Sequence, residues 1–194
     1  MRKIIVSEFI TLDGVMEAPG GEKSLGERSG WTLPYQSKEQ GKFKYDELFS
    51  CDTLLLGRKT YEGFAAAWPT MKGTGEFGER MNSMPKYVVS TTLENLEWNN
   101  STLIKDDVMQ GVKKLKDQPG RDILVYGSAE LVQALTEHNL VDEYRLMIFP
   151  VILGVGKHLF KEDGEKKILT LKDDKKFELG VVVLTYENTF KRPQ

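Results

Sequence analysis

The chain has 194 residues, 40% of them hydrophobic, with a formal net charge of -2 at pH 7 and a single cysteine. This length and apolar content suit one domain spanning residues 1–194, and the slight acidic excess argues against a nucleic-acid surface, which needs clustered basic charge. The lone Cys51 excludes an internal disulfide and favours the reducing cytoplasm, and the N-terminal apolar run is too short for a signal peptide or a membrane span.

Hydrophobic patterning predicts alternating strands and helices along the chain. Strands are predicted near residues 2–9, 52–57, 85–90, 101–105, 122–127, 142–152, 166–172 and 176–187. Helices are predicted near residues 36–50, 59–66, 107–118 and 128–138. In the last two helices apolar residues recur at helical spacing: Val108, Val112 and Leu115, then Leu131, Ala134 and Leu135.

This alternation favours an α/β sheet with crossover helices. No helix is predicted between the last two strands, so they should form an antiparallel hairpin and make the sheet mixed. Two glycine-rich stretches, residues 11–32 and 69–78, are predicted to be long loops, which are often functional.

The segment from Asp52 to Tyr61 joins a short apolar strand to a basic turn. Gly57 ends the strand, and Arg58, Lys59 and Thr60 open the next helix. Such a turn presents backbone N–H groups, two cations and a hydroxyl at the positive end of a helix dipole, which suits a phosphate. The same residues are also compatible with a plain strand end and a solvated helix start.

A second segment of the same kind runs from Ile123 to Leu131. Gly127 and Ser128 form its turn, and a helix is predicted directly afterwards. Two strand-to-helix phosphate sites in one small domain indicate a dinucleotide ligand. The alternative is an ordinary tight turn in which Ser128 caps the helix, since serine is a favoured capping residue.

Several other chemistries find no support in the sequence. The two histidines, His138 and His158, are isolated, and one cysteine cannot supply the paired cysteines of a zinc deaminase site, so no metal site is predicted. The glycine fingerprint of a standard Rossmann fold, the Walker lysine loop and the serine-hydrolase elbow are all absent from the sequence.

Five segments, in fixed order, carry a resemblance that covers nearly the whole chain. They are Phe9-Ile-Thr-Leu-Asp-Gly14, Leu54-Leu-Leu-Gly-Arg-Lys-Thr-Tyr-Glu62, Val88-Val-Ser-Thr91, Val125-Tyr-Gly-Ser-Ala-Glu-Leu131 and Pro150-Val-Ile-Leu-Gly-Val-Gly-Lys-His-Leu-Phe160. The chain resembles the dihydrofolate reductase-like fold, and more closely the C-terminal reductase domain of bifunctional riboflavin-biosynthesis proteins. The resemblance implies an α/β, three-layer fold with a central mixed, mostly parallel sheet and a C-terminal antiparallel hairpin. It also implies a homodimer.

The resemblance further implies that NADPH is the cofactor. The residues expected on the cofactor phosphates are Gly57, Arg58, Lys59 and Thr60. Those expected near the adenosine 2′-phosphate are Ser90 and Thr91. Those expected around the pyrophosphate are Gly127, Ser128, Ala129, Glu130 and Leu131. The loop containing Asp13, Gly14 and Val15 is expected to cover the nicotinamide. Dihydrofolate reductases carry paired glycines at the pyrophosphate turn, and here Ser128 replaces the second.

Asp13 is the predicted catalytic residue, acting by binding or polarising the substrate directly or through water. The alternative is that Asp13 has only a structural role, in the turn that an Asp-Gly pair often forms. Asp46 and Glu47 are further candidates, since dihydrofolate reductases place a carboxylate on a corresponding helix. Trp31 and Trp68 are expected to wall the substrate pocket or to lie in the core.

The predicted function is an NADPH-dependent reductase acting on a small heterocyclic substrate, similar to 5-amino-6-(5-phosphoribosylamino)uracil reductase of riboflavin biosynthesis. In such reductases the cofactor supplies the hydride, and the protein orients the reactants and excludes water. The alternatives are a dihydrofolate reductase and a non-catalytic nucleotide-binding or sensor protein of the same fold.

Overall fold

The computed structural model describes residues 1–189, which form eight strands and five α-helices. The strands are β1 (Ile4–Thr11), β2 (Cys51–Gly57), β3 (Lys86–Val89), β4 (Ser101–Ile104), β5 (Asp122–Val125), β6 (Glu143–Phe149), β7 (Leu169–Lys176) and β8 (Val182–Asn188). The helices are α1 (Lys38–Ser50), α2 (Arg58–Ala67), α3 (Gly75–Ser83), α4 (Val108–Asp117) and α5 (Ala129–Glu137). Short 3-10 turns occur at Gly26–Arg28, Leu33–Tyr35 and Glu178–Gly180.

The strands form one sheet in the order β4-β3-β2-β5-β1-β6-β8-β7. The six strands from β4 to β6 pair in parallel, whereas β8 pairs antiparallel with both β6 and β7. The predicted mixed, mostly parallel sheet and the C-terminal antiparallel hairpin are therefore confirmed. Parallel strands covered on both faces are expected to be continuously apolar, and Ile4, Ile5 and Val6 of β1 are accordingly at most 1% exposed.

Helices cover both faces of the sheet and produce the expected three layers. On one face, Val112 of α4 and Leu135 of α5 pack in a core cluster with the apolar side chains of β1 and β5. On the other face, Leu48 of α1 and Met81 of α3 pack in a second cluster with β2. The predicted three-layer architecture is thus confirmed.

The structure differs from the predicted elements in three places. Residues 69–78 were predicted as a loop, but the helix α3 begins within them at Gly75. The glycines of this stretch favoured a loop, whereas Phe77 and Met81, four residues apart, bring an apolar face into the core. Strand β6 ends at Phe149 rather than near 152, since Pro150 has no N–H for a ladder. The last two strands begin later than predicted, at Leu169 and Val182.

Candidate functional site

The turns that follow β2 and β5 lie side by side at the carboxyl edge of the sheet. The two strands are neighbours, with Leu55 aligned to Val125. The hydroxyl oxygen of Ser128 accepts a hydrogen bond from the Gly57 N–H at 2.7 Å and donates one to Thr60 Oγ1 at 2.8 Å. The two predicted phosphate-binding turns therefore form one surface, called here the double turn (residues 57–60 and 127–131).

Two glycines allow this close contact. A Cβ on Gly57 would lie 2.8 Å from the Ser128 Cβ, and one on Gly127 would lie 2.7 Å from Thr60 Oγ1. Gly127 also has a φ of +68°, a backbone conformation that side chains disfavour. The absence of a side chain at Gly127 therefore makes room for Thr60.

The helices that leave the double turn lack side-chain caps. Neither α2 nor α5 has a side chain that accepts a hydrogen bond from its first turn. In contrast, Ser37 caps α1 and Asp107 caps α4. Ser128 does not cap α5 because its hydroxyl is directed to Gly57 and Thr60. First-turn N–H groups of both helices are therefore left for an anion.

These two helix N-termini converge from opposite faces of the sheet. Tyr61 of α2 belongs to one core cluster and Leu131 of α5 to the other, while the strands that precede them are adjacent. A crevice at the carboxyl ends of neighbouring strands, with helices leaving to opposite faces, is where open α/β sheets bind nucleotides. That the double turn binds the phosphates of a dinucleotide stays a prediction.

Positive side chains surround the first turn of α5. Lys157 donates a hydrogen bond to Glu130 at 3.0 Å. This bond, followed by the charges of Lys157, Lys59 and Arg58, lowers the pKa of Glu130. Arg58 itself contacts the Glu62 carboxylate at 3.1 Å. Sequence reasoning missed Lys157, because only the folding of the segment after β6 brings it beside Glu130.

Ser90 and Thr91 lie at the same edge of the sheet, just after β3, which is the other neighbour of β2. The Ser90 hydroxyl oxygen accepts hydrogen bonds from the backbone N–H groups of Thr92 at 3.2 Å and Leu93 at 3.0 Å, so it organises its own turn. Thr91 is exposed. Their contact with a 2′-phosphate stays a prediction.

Asp13 ties the first loop to the segment that follows β6. Its carboxylate accepts hydrogen bonds from the Thr11 hydroxyl at 2.5 Å and from the backbone N–H groups of Leu153 at 3.2 Å and Gly154 at 2.7 Å. The Thr11 hydroxyl is the main cause that lowers the pKa of Asp13 to about 2. Asp13 is therefore ionised at neutral pH, and its catalytic role stays a prediction.

The two residues after Asp13 are held against the same segment. Gly14 has a φ of +80°, and a Cβ added there would lie 3.6 Å from the His158 ring. Val15 is fully buried and forms an isolated antiparallel bridge with His158. Residues 13–15 are thus docked on residues 153–158, and their predicted position over a nicotinamide stays a prediction.

A cavity of about 230 Å³ lies between α1 and the strands β1 and β6. It is called here the aromatic cavity, and its walls include Phe9, Met147, Phe149, Gln40 and Lys44. Trp31, one of the two predicted wall residues, is not among the residues that line the cavity. It is buried in a core cluster behind the wall, where it packs edge-on against Phe149 with ring centres 5.4 Å apart.

The second predicted wall residue, Trp68, lies elsewhere. It packs at the end of α2 against Phe64 and Phe77. Both phenylalanines pack against the core cluster on the α2 face of the sheet, as Trp68 does. Trp68 therefore follows the alternative that the sequence left open, a place in the core.

A buried network of charges underlies the aromatic cavity. The Lys44 ammonium donates to Ser7 Oγ at 2.7 Å and to Glu47 Oε2 at 2.6 Å. The Tyr126 hydroxyl donates to Glu47 Oε2 at 2.9 Å, and Arg145 contacts Glu47 Oε1 at 3.4 Å. Because Tyr126 directly precedes Gly127, this network adjoins the double turn.

The two candidate carboxylates on α1, Asp46 and Glu47, are paired with other side chains and are not among the residues that line the cavity. The Glu47 side chain is 1% exposed, and both of its oxygens are occupied by the network. Asp46 is exposed and pairs with Lys42 at 2.6 Å. Lys44 is the charged residue among those that line the cavity.

Comparison with known proteins supplies the family. The model of the RibD C-terminal domain matches residues 2–185. The chain belongs to this family. It is 34% identical over 188 residues to the uncharacterized protein YyaP of Bacillus subtilis, covering 95% of this chain and 94% of YyaP. It is 26% identical over 181 residues to YwjB of the same organism, covering 93% of this chain and 95% of YwjB.

Solved structures share the fold of this RibD C-terminal domain at low sequence identity. A putative riboflavin biosynthesis protein from Shewanella sp. PV-4 has a TM-score of 0.76 at 20% identity, covering 98% of this chain and 99% of that one. A pyrimidine reductase-like protein from Corynebacterium diphtheriae has a TM-score of 0.63 at 11% identity, with 96% and 91% covered. Dihydrofolate reductase from Enterococcus faecalis, complexed with NADP(H), has a TM-score of 0.59 at 14% identity, with 96% of each chain covered.

Glu8 of this RibD C-terminal domain is a buried carboxyl group that sequence reasoning missed. It is 5% exposed, and its Oε1 atom has no hydrogen-bond partner. Burial raises its pKa to about 8, while the Lys44 charge and the Gly127 N–H lower it in part. The available signal was an acidic residue in the middle of the mostly apolar strand β1. Glu8 places a titratable group directly beneath the double turn.

The remaining observations on residues 1–189 concern metal binding and membrane crossing. Within that range, no group of three or more His, Cys, Asp or Glu side chains is arranged to hold a metal ion. His138 Nδ1 lies 2.9 Å from the Ala134 carbonyl oxygen, and His158 is exposed. Over the same range, no helix combines the length and apolarity that a membrane crossing requires.

Proposed function

We propose that this protein is an NADPH-dependent reductase that transfers a hydride to a small heterocyclic substrate, similar to 5-amino-6-(5-phosphoribosylamino)uracil reductase. The observation that carries the proposal is the double turn, in which Ser128 joins two uncapped helix N-termini. Tyr126, the residue before this turn, contacts Lys44 in the lining of the aromatic cavity. One part of the site suits phosphates and the other suits a flat ring. Membership of the RibD C-terminal domain family supports the same reading.

Each part of the site has a defined task in this proposal. Backbone N–H groups of the double turn hold the phosphates that NADPH and NADH share. Arg58 and Lys59 supply positive charge, and Ser90 and Thr91 supply hydroxyls, for the 2′-phosphate that only NADPH carries. The nicotinamide supplies the hydride. The aromatic cavity orients the substrate and excludes water, which accounts for much of the acceleration expected of such an enzyme.

Asp13 has a restricted role in this scheme. With a pKa of about 2, its carboxylate can accept hydrogen bonds at neutral pH but holds no proton to donate. We therefore propose that Asp13 binds or orients the substrate beside the loop that it anchors, and that the proton required after hydride transfer has another source. A cytoplasmic homodimer remains part of the proposal.

The test is a calorimetric titration with NADPH and NADH, followed by an optical assay of NADPH oxidation. The acceptors are pterins, pyrimidines, flavins, quinones and dihydrofolate. We expect tighter binding of NADPH than of NADH and oxidation with a small heterocycle. If neither cofactor binds, the proposal is wrong. Turnover with dihydrofolate alone would favour the dihydrofolate reductase alternative, and tight binding without turnover would favour the sensor.

A further inference from the structure

Lys44, which lines the aromatic cavity, makes fewer hydrogen bonds than its ammonium group can donate. An ammonium has three N–H donors. Within residues 1–189, Ser7 and Glu47 take two of them. The Lys44 side chain is still 15% exposed and lines the cavity. Its third N–H donor makes no hydrogen bond within that range, so the ammonium has a donor to offer a molecule bound in the cavity.

Two aromatic rings lie close to the Lys44 ammonium at the floor of the cavity. The ammonium nitrogen lies 4.1 Å from the centre of the Tyr126 ring and 5.3 Å from that of Phe9, and aromatic faces attract a cation. Glu47 balances its charge from the same helix, but that carboxylate is shared with Arg145 of β6. A ligand reaching the floor meets a donor and positive charge.

The walls favour a flat and small molecule. Phe9 and Phe149 pack edge to face with ring centres 5.5 Å apart, and Met147 adds an adaptable apolar surface. The volume of about 230 Å³ lies below the range of roughly 300–1,000 Å³ usual for drug-sized ligands. One ring, or two fused rings, would fill it.

We propose that Lys44 determines which substrates this protein accepts, by donating a hydrogen bond to a carbonyl oxygen or oxyanion on a flat ring and by excluding flat cations such as amidines. The inference rests on the proposed function only in treating the aromatic cavity as the substrate site. A cationic ring would bring its own N–H donors against the ammonium, leaving donors unpaired and like charges adjacent.

The test uses three probes of nearly the same size and shape: benzoate, benzamide and benzamidine. Binding is followed by NMR through the isotope-labelled methyl group of Met147 in the cavity wall, with the exposed Met71 as the reference. We expect benzoate to bind at least about ten-fold more tightly than benzamidine, with benzamide between them. A ten-fold ratio is what a modest charge-assisted hydrogen bond supplies.

Variants then assign the preference to Lys44. Lys44→Leu should weaken benzoate about ten-fold or more, whereas Lys44→Arg keeps the cation and should retain the preference. The matched control is Lys42→Leu on the same helix, where the exposed lysine contacts only Asp46 among residues 1–189. Lys44→Gln keeps a hydrogen-bond donor toward Glu47 but removes the positive charge. This variant replaces Lys44→Leu if Lys44→Leu fails to fold. Lys44→Gln should abolish the advantage of benzoate over benzamide.

Three results would overturn the inference: benzamidine binding as tightly as benzoate, no benzoate-induced shift of Met147 in the parent protein, or an unchanged preference in the folded Lys44→Leu or Lys44→Gln variant. NADPH titration of the same samples tests the proposed function separately. Failure of NADPH to bind would reject the reductase while leaving the benzoate preference to be judged on its own.

Discussion

Replacement of Glu8 by glutamine tests whether the site contains a buried carboxyl group with a raised pKa. Glu8 is 5% exposed with Oε1 unpartnered, and burial raises its pKa from 4.5 to about 8. Between these two pH values the folded state binds the proton that the unfolded state has already released. The free energy of unfolding should therefore fall as pH rises through this interval.

The size of this effect follows from the shift. The difference between about 8 and 4.5 multiplied by 1.36 kcal/mol per pH unit gives an upper bound of about 5 kcal/mol above pH 8. Local rearrangement around the charged form relieves part of it, so we expect a loss of about 2–3 kcal/mol. Glutamine removes the titration, and its own burial changes the free energy by an amount independent of pH.

The assay is urea unfolding of parent and Glu8→Gln proteins at pH values from about 5 to about 8.5. The stability of the parent relative to the variant should decline steadily across this range. The control is Glu94→Gln, since Glu94 is an exposed glutamate between β3 and β4. Parallel profiles for parent and Glu8→Gln would refute the reasoning, because they would show that Glu8 gains no proton affinity on folding.

Three further substitutions probe the cofactor and loop residues. Arg58→Ala should weaken NADPH about ten-fold and NADH much less, since charge-assisted phosphate contacts are strong; calorimetry measures both, and equal losses would contradict the assignment. Gly127→Val forces a side chain against Thr60 and should abolish the rise in melting temperature that NADPH gives the parent. If the rise is retained, NADPH binding does not depend on the close contact between Gly127 and Thr60. Asp13→Asn should reduce turnover with little change in NADPH affinity, and should cost about 1 kcal/mol at neutral pH through weaker bonds to the loop. Because the pKa of Asp13 is lowered to about 2, the stabilisation by its carboxylate should persist above about pH 4. It should disappear as the pH falls through the pKa of Asp13 in the folded state. Unreduced turnover in Asp13→Asn would remove Asp13 from the mechanism.

The sequence by itself determined the elements whose signals are local. Strand β2, the basic turn at Arg58 and the helix after Ser128 could be predicted because each depends on residues adjacent in the chain. Where local signals conflicted, the prediction failed. The glycines of residues 69–78 suggested a loop, while tertiary packing of Met81 against β2 and α1 stabilises the helix α3.

Only the tertiary structure decided how the site is assembled. The contact of Ser128 with Gly57 requires β5 to lie beside β2, although 71 positions separate these residues. In the same way, Lys44 meets Ser7 and Tyr126 only because β1 and β5 are neighbours beneath α1. Charges, apolar runs and turn residues specify strands and helices, but pairing of distant strands selects which side chains share a cavity. The buried state of Glu8 and the cation facing the aromatic cavity are consequences of that pairing.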